Sequence, residues 1–369
     1  MLSRRRFILS ATSIPVGLLT LHACSFDAAS EVSYDQAVGQ IWRQGEGGLS
    51  DRWSLHHELV RYATLAASSH NTQCWKFHST EHAISLLPDL SRQCPAVDPD
   101  KHHLFVSLGC AAENLLQAAL ANGLHGEASF DSRADGALRV VLEPTKVIVS
   151  PLFEAISKRQ CTRAEFDGKA LSSEELKLLE AAGSSQGVRL LLLTDREAME
   201  QVLAYVIEAN TAQMKDPAFV EELKAWIRFS EDEAVRSGDG LYSRSTGNPS
   251  IPRWLGSPLF NLFYTSGSEN DKYASYIRSS AGIAVFILEA NDKAHWIEAG
   301  RCYERFALQA TALGIRNAFL NQPVEVTVLR AQFANALGLG RHRPDLVVRF
   351  GRGPEMPRSL RRPLQAVMV

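Results

Sequence analysis

The sequence lacks the cysteine and histidine spacings that identify most zinc-binding and disulfide-rich proteins. Its six cysteines are scattered without a CxxC pair, and no HExxH segment occurs. Neither a zinc ribbon nor a dense disulfide framework is therefore indicated. The adjacent pairs His56-His57 and His102-His103 do not share a helix face. We therefore predict no metal site.

The chain also lacks an excess of charge of either sign. It has 39 basic and 41 acidic residues, for a formal net charge of −2. A nucleic-acid-binding domain would usually present a basic face, so we predict no nucleic-acid partner. A small basic cluster near the C-terminus, Arg358, Arg361 and Arg362, is better suited to one phosphate group. The length of 369 residues suggests about two domains or one large duplicated one.

The N-terminus has too little uninterrupted apolar sequence for a strong transmembrane helix. Residues Ile8–Ala23 are modestly apolar and are broken by a proline and a glycine. Ser3–Ile8 fits a twin-arginine signal, which predicts that the twin-arginine export machinery delivers the chain to the periplasm or cell envelope. Leu21–Cys24 looks like a lipobox, so residues 1–24 are a signal that could end in lipidation and membrane anchoring at Cys24. The alternative is ordinary cleavage and a soluble product. Export by this route suits proteins that fold around a cofactor first.

After the signal, the sequence predicts a linker and then a mixed α+β region. Residues 25–54 are polar and contain several glycines, which favours a linker. Beyond them, helical and strand periodicities alternate, with strands expected near residues 188–193, 283–288 and 346–350. Residues 236–280 are rich in Gly, Ser, Asn and Pro, and a loop of this length is usually functional or mobile. Apolar residues between Trp254 and Phe263 favour a lid over a solvated insertion.

Two segments of the chain resemble each other. In Gly109–Gly123 and in Gly300–Gly314, a glutamate follows the first glycine by four residues and a second glycine follows it by fourteen. Two amphipathic helices with glycine caps could look alike by chance. The matched positions favour duplication, with halves at 55–155 and 156–369 that fold like a two-fold dimer fused end to end.

The densest group of polar residues lies in the segment Ala66–Phe77, between a predicted helix and a predicted strand. Its hydroxyls, amides and backbone N–H groups could bind the hydroxyls and the polar ring edge of a flavin. A polar turn that caps its own backbone is the alternative, and composition alone favours that alternative.

This segment resembles the S-S-x-N-x-Q-P-W loop of the nitroreductase superfamily, and most closely that of the Acg family, exported single-chain relatives of those dimeric flavoenzymes. Cys74 stands where the family has proline. Arg159–Arg163 looks like the R-x-S-x-R segment that grips the phosphate of FMN, Gly314–Gln322 is similar to the stretch that passes the flavin's reactive edge, and Arg361-Arg362 matches the C-terminal basic segment. The resemblance implies these cofactor-binding residues: Ser68, Ser69, Asn71, Gln73, Arg159, Cys161, Arg163, Asn321, Gln322, Arg361 and Arg362.

The resemblance further implies a nitroreductase-like fold with one FMN held between the two halves, for which a monomer is sufficient. The S-S-x-N loop occurs only in the first half and the R-x-x-x-R segment only in the second, so one complete site can be assembled. The implied function is an FMN-dependent oxidoreductase with an unknown electron donor and small-molecule acceptor. No side chain is an obvious general acid or base, so the flavin would carry the chemistry. The alternatives are a flavin-sequestering protein with little NAD(P)H-driven turnover and a structural relic without flavin.

Overall fold

The computed structural model of the chain describes residues 32–45, 51–133 and 136–369. The predicted twin-arginine signal and Cys24 lie outside the described residues. Of the predicted linker 25–54, residues 32–45 and 51–54 are described.

The first half is built on a helix, a hairpin, a long central helix and a second hairpin. One short helix precedes these elements and another follows them. Its elements are α1 (Tyr34–Ile41), α2 (Arg52–Thr64), β1 (Trp75–Ser79), β2 (Ala83–Pro88), α3 (His102–Ala121), β3 (Leu124–Asp131), β4 (Ala137–Pro144) and α4 (Pro151–Ile156).

The second half repeats this order and adds a helical region between its first two long strands. Its elements are α5 (Ser173–Ala182), β5 (Val188–Leu193), α6 (Arg196–Lys215), α7 (Pro217–Trp226), β6 (Ile227–Arg228), α8 (Glu231–Ser237), β7 (Leu241–Tyr242), α9 (Arg253–Phe263), α10 (Ser266–Arg278), β8 (Gly282–Leu288), α11 (Lys293–Ala312), β9 (Arg316–Phe319), α12 (Gln322–Glu325), α13 (Thr327–Ala336) and β10 (Arg343–Gly351).

The two main sheets have the same topology. Their strand orders are β1-β2-β4-β3 and β5-β8-β10-β9, and neighbouring strands in both are antiparallel. Each half therefore runs helix, strand, strand, central helix, strand, strand. The predicted α+β architecture of two pseudo-symmetric halves in one chain is confirmed.

The central helices α3 and α11 cross at the two matched glycines. A Cβ at Gly109 would lie 1.9 Å from the carbonyl oxygen of Ile297, and a Cβ at Gly300 would lie 1.9 Å from the carbonyl oxygen of Val106. Each glycine thus meets the residue three positions before the other glycine. This reciprocal contact is what a two-fold axis between like surfaces produces. The glycines let the two backbones approach closely.

The core is centred on this helix pair. By length and apolar composition, α3 could span a membrane, but 78% of its most apolar window is buried inside the protein. Its residues pack with those of α11 and of both sheets in one continuous cluster. The apolar character of α3 therefore reflects its central position in the fold.

Two parts of the predicted organisation need correction. Within the segment predicted as a linker, Ser33 begins helix α1 with a capping box formed with Gln36, and Asp51 caps α2. The second-half insertion spans residues 194–281 and is mainly helical, so the predicted loop at 236–280 is only its last part. Some of its glycines and prolines lie next to helices, as Gly247 and Pro252 do, whereas Gly256 and Pro258 lie inside α9.

Two segments that follow the sheets form bridges to strands that are distant in sequence. After α4, Cys161 forms a parallel bridge with Asn317 of β9. At the C-terminus, Met368 forms a parallel bridge with Phe77 of β1. The connector that follows α4 and the C-terminal tail are thereby brought to the polar loop that follows α2.

Candidate functional site

The polar loop after α2 has an unusual backbone. His70, Asn71 and Gln73 have φ angles of 46°, 53° and 53°, in the left-handed region that non-glycine residues rarely adopt. The Ser68 hydroxyl accepts a hydrogen bond from the Gln73 N–H at 3.1 Å, and the Ser69 N–H donates to the hydroxyl of Ser107 on α3 at 3.3 Å. Such strained conformations cluster at ligand-binding positions. The left-handed backbone of this loop turns neighbouring side chains in different directions.

The amides of Asn71 and Gln73 are occupied by the protein itself. Asn71 donates to the carbonyls of Gly240 and Leu360 at 3.0 and 3.2 Å. Gln73 donates to the Gly238 carbonyl at 2.8 Å and accepts from the Arg362 N–H at 2.8 Å. Asn71 borders only a small cavity, and Gln73 borders neither of the two cavities described below. Both residues therefore hold the loop against the insertion and the tail.

Ser68, Ser69 and His70 instead face a large cavity of about 540 Å³. Its walls combine the loop, α3 and β9 with the helices of the insertion. Pockets of this volume hold small organic ligands and cofactors. The insertion supplies most of the apolar lining, including Phe219, Leu223, Phe229, Leu259, Phe260 and Phe263.

A smaller cavity of about 70 Å³ adjoins the large one. The two share Ala67, Ser68, Arg163, Leu241 and Phe319 in their linings. The arginines that line the smaller cavity come from the connector and the tail: Arg159, Arg163, Arg358 and Arg361. We call this cavity the arginine annex.

Three of the annex arginines are held by the protein. Arg159 lies 2.9 Å from the Glu304 carboxylate and donates to the Leu65 carbonyl at 2.8 Å. Arg361 donates to the carbonyls of Thr64, Leu65 and Ala66 at the end of α2. Arg358 donates to the carbonyls of Lys158 and Arg159 and stacks on Trp42. Their guanidinium groups are fixed before any ligand arrives.

Arg163 differs from these three. Among the described residues, its guanidinium group makes no hydrogen bond or ion pair with the protein, and its side chain lines both cavities. Within the part of the chain that the structure describes, Glu304 is the one acidic residue that forms an ion pair with an annex arginine, and that arginine is Arg159. Burial, reinforced by the neighbouring Arg159, lowers the pKa of Arg361 to about 9. The annex is therefore a positively charged site that an anion would stabilise.

The structure brings most of the predicted site residues together but leaves Gln73 and Arg362 outside both cavities. Arg362 lines neither cavity. Its side chain donates to the carbonyls of Gln73 and Ala366, and Asp89 lies 3.8 Å away. The expectation that Arg361 and Arg362 converge on one point is corrected, because adjacent residues of the extended tail point in opposite directions. Cys161 lines the annex as expected.

Asn321 and Gln322 line the large cavity beside β9. Asn321 accepts a hydrogen bond from the Val347 N–H at 2.9 Å, and its Nδ2 lies 3.4 Å from Nε2 of His103. The Oε1 of Gln322 is buried and has no partner among the described residues. A buried acceptor without a partner indicates that a donor is missing.

Sequence reasoning missed several cavity residues. His70 occurs inside the polar loop that the sequence singles out, and Arg358 occurs inside the C-terminal basic cluster. Both residues could therefore have been predicted from their sequence neighbours. No sequence pattern indicated the remaining three, which are Tyr273 and Tyr276 of α10 and Glu325 of α12. They reach the cavity only because the insertion folds back over the loop.

Asp98, His102 and His103 place one nitrogen or oxygen atom each within 4.8 Å of one another. The Asp98 carboxylate already accepts the backbone N–H groups of His103 and Leu104 at the start of α3, and it lies 3.2 Å from Nδ1 of His102. We assign this cluster to capping α3, because these contacts account for the donor atoms nearest the carboxylate.

Comparison with known proteins adds the following. No family model matches the chain. A Mycobacterium tuberculosis protein named "Putative NAD(P)H nitroreductase Rv3131" is 25% identical over 323 residues, which cover 84% of this chain and 90% of that protein. The M. tuberculosis protein named "Putative NAD(P)H nitroreductase acg" is 21% identical over 84% of this chain and 93% of its own length. The chain is a relative of these Acg-type nitroreductase proteins.

The Acg-type likeness spans both halves, since it covers 84% of the chain. Solved structures align with a smaller share. The nitroreductase NfnB of Mycobacterium smegmatis, in complex with NADPH, aligns over 58% of this chain and 96% of its own, with 13% identity and a TM-score of 0.39. A Bacteroides fragilis nitroreductase with bound FMN aligns over 56% of this chain and 89% of its own, with 16% identity and a TM-score of 0.35.

Proposed function

We propose that this chain binds one FMN across the two adjoining cavities and acts as a nitroreductase-like oxidoreductase. The arginine annex carries this proposal: four arginines from two separate segments surround a cavity of about 70 Å³ beside one of about 540 Å³. A phosphate monoester fits the charge and size of the annex. A flavin ring fits the larger cavity. The names of the two M. tuberculosis proteins include NAD(P)H as the electron donor, and nitroreductases of Bacteroides fragilis and Desulfitobacterium hafniense have structures with bound FMN.

The residues of the chain would divide the binding between them. Arg163 would pair with the phosphate, since its side chain lines the annex and has no partner within the part of the chain that the structure describes. Ser68 and Ser69 would offer hydroxyls to the polar part of the cofactor. When bound, FMN would supply the electron-transfer chemistry. The protein would fix the cofactor and exclude water around it.

A comparison of FMN with riboflavin tests this proposal. Arg163→Ala should weaken FMN binding by about one to two decades, because it removes a charge-assisted contact of about 1.5–3 kcal/mol. Riboflavin lacks the phosphate, so its affinity should change much less. Flavin fluorescence quenching measures both dissociation constants.

Arg133→Ala provides the control, because the Arg133 side chain is exposed and lines neither cavity. It should leave both affinities unchanged. Equal losses for FMN and riboflavin in Arg163→Ala would mean that Arg163 does not bind the phosphate.

A flavin-sequestering protein with little NAD(P)H-driven turnover is the second candidate. Helix α9 favours it, because Leu259 and Phe260 line the large cavity. The helix is anchored on Phe229, on which Gly256 packs directly and which Phe260 meets edge-on with ring centroids 6.4 Å apart. Packed in this way, α9 could restrict the approach of a nicotinamide to a bound flavin, and hydride transfer requires that close approach.

Replacing both Leu259 and Phe260 with asparagine tests the role of α9. If α9 restricts access, the double variant should be reduced by NADPH faster than the wild type in a stopped-flow experiment. Leu262→Asn is the matched control, because Leu262 is on the same helix and 66% exposed. Rapid reduction of the wild type that the double substitution leaves unchanged would favour the oxidoreductase.

We also propose that the chain is exported through the twin-arginine pathway to the periplasm or cell envelope, with Cys24 as a site of lipidation. The sequence of residues 3–24 supports this proposal. Replacing both Arg4 and Arg5 with lysine should leave the precursor in the cytoplasm in a fractionation experiment. Undiminished export of that variant would contradict the proposal.

A further inference from the structure

One end of the large cavity carries a buried carboxyl group that the proposed cofactor contacts do not use. Glu325 ends α12 and lines the cavity. Its Oε2 accepts a hydrogen bond from Nε2 of Gln213 at 2.7 Å, and its Oε1 lies 3.7 Å from Nδ1 of His103. The side chain is 15% exposed. Glu325 is therefore held in one place, between the insertion and α3.

The groups around Glu325 leave it without a direct cationic partner. Burial, together with the charge of His102, lowers the pKa of His103 well below its ordinary value, so the nearest imidazole is neutral. His102 carries a charge, but its Nδ1 is bonded to Asp100 at 2.8 Å. Arg330 donates to the Val324 carbonyl and lies 3.4 Å from Asp100. Both cations are thus engaged by other acceptors.

Helix α10 and strand β10 contribute the remaining ionisable groups of this region. Lys272 lies 3.9 Å from Glu269 on the same helix, and Arg343 lies 3.2 Å from the buried Asp345. Tyr273 also lines the cavity, and burial raises its pKa. Burial outweighs the favourable contacts of Glu325 and raises its pKa to about 7. A carboxyl group in this condition holds a proton near neutral pH and can release it.

We infer that Glu325 donates a proton to the molecule that is reduced in the large cavity. The inference rests on the proposed function and assigns a role to a residue that no sequence pattern singles out. For an acceptor with a quinone-type carbonyl, the reduced flavin would supply a hydride with its electron pair and become oxidised. Glu325 would supply the proton that completes the hydroxyl group, would be left as a carboxylate and would regain a proton from water.

The neighbouring polar atoms suit this role. Gln213 holds Oε2 of Glu325, which leaves Oε1 to carry the proton. Gln322 opens the same short helix and presents its unpartnered Oε1 to the cavity. A ligand oxygen placed there would find a donor at Glu325. Once reduction has converted this oxygen to a hydroxyl group, the hydroxyl could donate to Gln322. Glu325 and Gln322 together would therefore accommodate both the carbonyl and the hydroxyl form of the ligand.

The test compares two oxidants of the dithionite-reduced, FMN-loaded protein. Menadione takes up electrons together with protons, whereas ferricyanide takes up single electrons without protons. Glu325→Gln retains the size of the side chain and an acceptor for Gln213. It should slow reoxidation by menadione about a hundredfold at pH 6 and leave reoxidation by ferricyanide unchanged. In the wild type, the menadione rate should fall as the pH rises through about 7.

A spectroscopic readout separates this inference from the proposed function. The difference between the infrared spectra of the wild type and Glu325→Gln should contain one protonated-carboxyl band that titrates near pH 7, whereas bands of other buried acids such as Glu304 and Asp345, whose pKa values burial also raises, should be common to both proteins. Glu355→Gln, at a carboxyl group that is 77% exposed, should retain both the band and the menadione rate. Equal menadione rates in the wild type and Glu325→Gln, or a difference spectrum without a band that titrates near pH 7, would overturn the inference. Failure of the wild type to bind FMN would overturn the proposed function, while the infrared titration would still report on Glu325.

Discussion

Arg361 and Arg163 show how the surroundings of a residue determine what the same side chain does. The guanidinium group of Arg361 is buried and bonded to three carbonyls at the end of α2, where a cation compensates unpaired helical acceptors. That of Arg163 borders two cavities and has no protein partner among the described residues. We therefore expect Arg361→Ala to reduce protein stability first and ligand affinity as a consequence. Arg163→Ala should act on the ligand directly.

His102 gives a prediction about stability and pH. Burial alone would lower its pKa, but Asp345 and the hydrogen bonds to Asp100 and Asp98 outweigh burial and raise the pKa to about 9. The folded protein thus binds a proton at His102 more tightly than the unfolded chain does. This contribution is fully present below about pH 6.5 and is lost as the pH rises through about 9. It is on the order of 3 kcal/mol.

Urea unfolding of the wild type between pH 6 and 10 checks this prediction, because its free energy of unfolding should fall across that window. His102→Asn should be less stable at pH 6 and should show a flatter profile. His125→Asn serves as the control, since His125 lies on strand β3 with its side chain exposed. An unchanged slope in His102→Asn would contradict the assignment of the charge to His102.

At the scale of elements, the crossing of α3 and α11 depends on two residues without side chains. A methyl group at Gly300 would lie 1.9 Å from the carbonyl oxygen of Val106, which is backbone and cannot rotate away. Gly300→Ala should therefore force the helices apart and destabilise the protein by about 3 kcal/mol or more. Thermal unfolding followed by circular dichroism measures the loss.

Gly39→Ala supplies the opposite case. Gly39 lies inside helix α1, and a Cβ there would meet nothing within 4 Å. This substitution should be neutral or should stabilise by about 0.5–1 kcal/mol, because alanine favours the helix. If Gly300→Ala were as stable as Gly39→Ala, the close crossing of the two central helices would be wrong.

For the whole molecule, the convergence of three segments from different parts of the chain explains why one site is complete. The loop after α2 belongs to the first half, the connector bearing Arg159 and Arg163 reaches β9, and the tail bearing Arg358 and Arg361 returns to β1. In the second half, the turn between α5 and β5 is short. The hydroxyl oxygen of Ser185 in this turn lies 3.1 Å from the sulfur of the buried Cys302. It offers no counterpart to the strained polar loop.

This arrangement predicts one FMN per chain and a monomer that is sufficient to bind it. Flavin released from the purified protein by denaturation, quantified against the protein concentration, should give a ratio close to one at saturation. Size-exclusion chromatography with light scattering should find FMN in the monomer fraction. Two flavins per chain, or flavin confined to a dimer, would contradict the prediction.

The sequence by itself determined the repeat and the polar segments. Gly109 and Gly300, each followed by a glutamate at the same distance, identify the two central helices, because close helix packing tolerates only glycine at the crossing. Ser172 and Glu175 predict the start of α5, and the structure has that capping box. These features depend on neighbours within a few positions in the chain, so local patterns report them.

Only the tertiary structure decided which polar residues face the cavities. Positive φ angles at His70, Asn71 and Gln73 turn Asn71 and Gln73 into the protein and leave His70 at the large cavity. The tail places Arg361 in the annex and Arg362 outside it. Glu325 becomes a buried acid only because the insertion encloses it. Side-chain direction and burial arise from contacts between segments that lie far apart in the chain, and no local pattern encodes them.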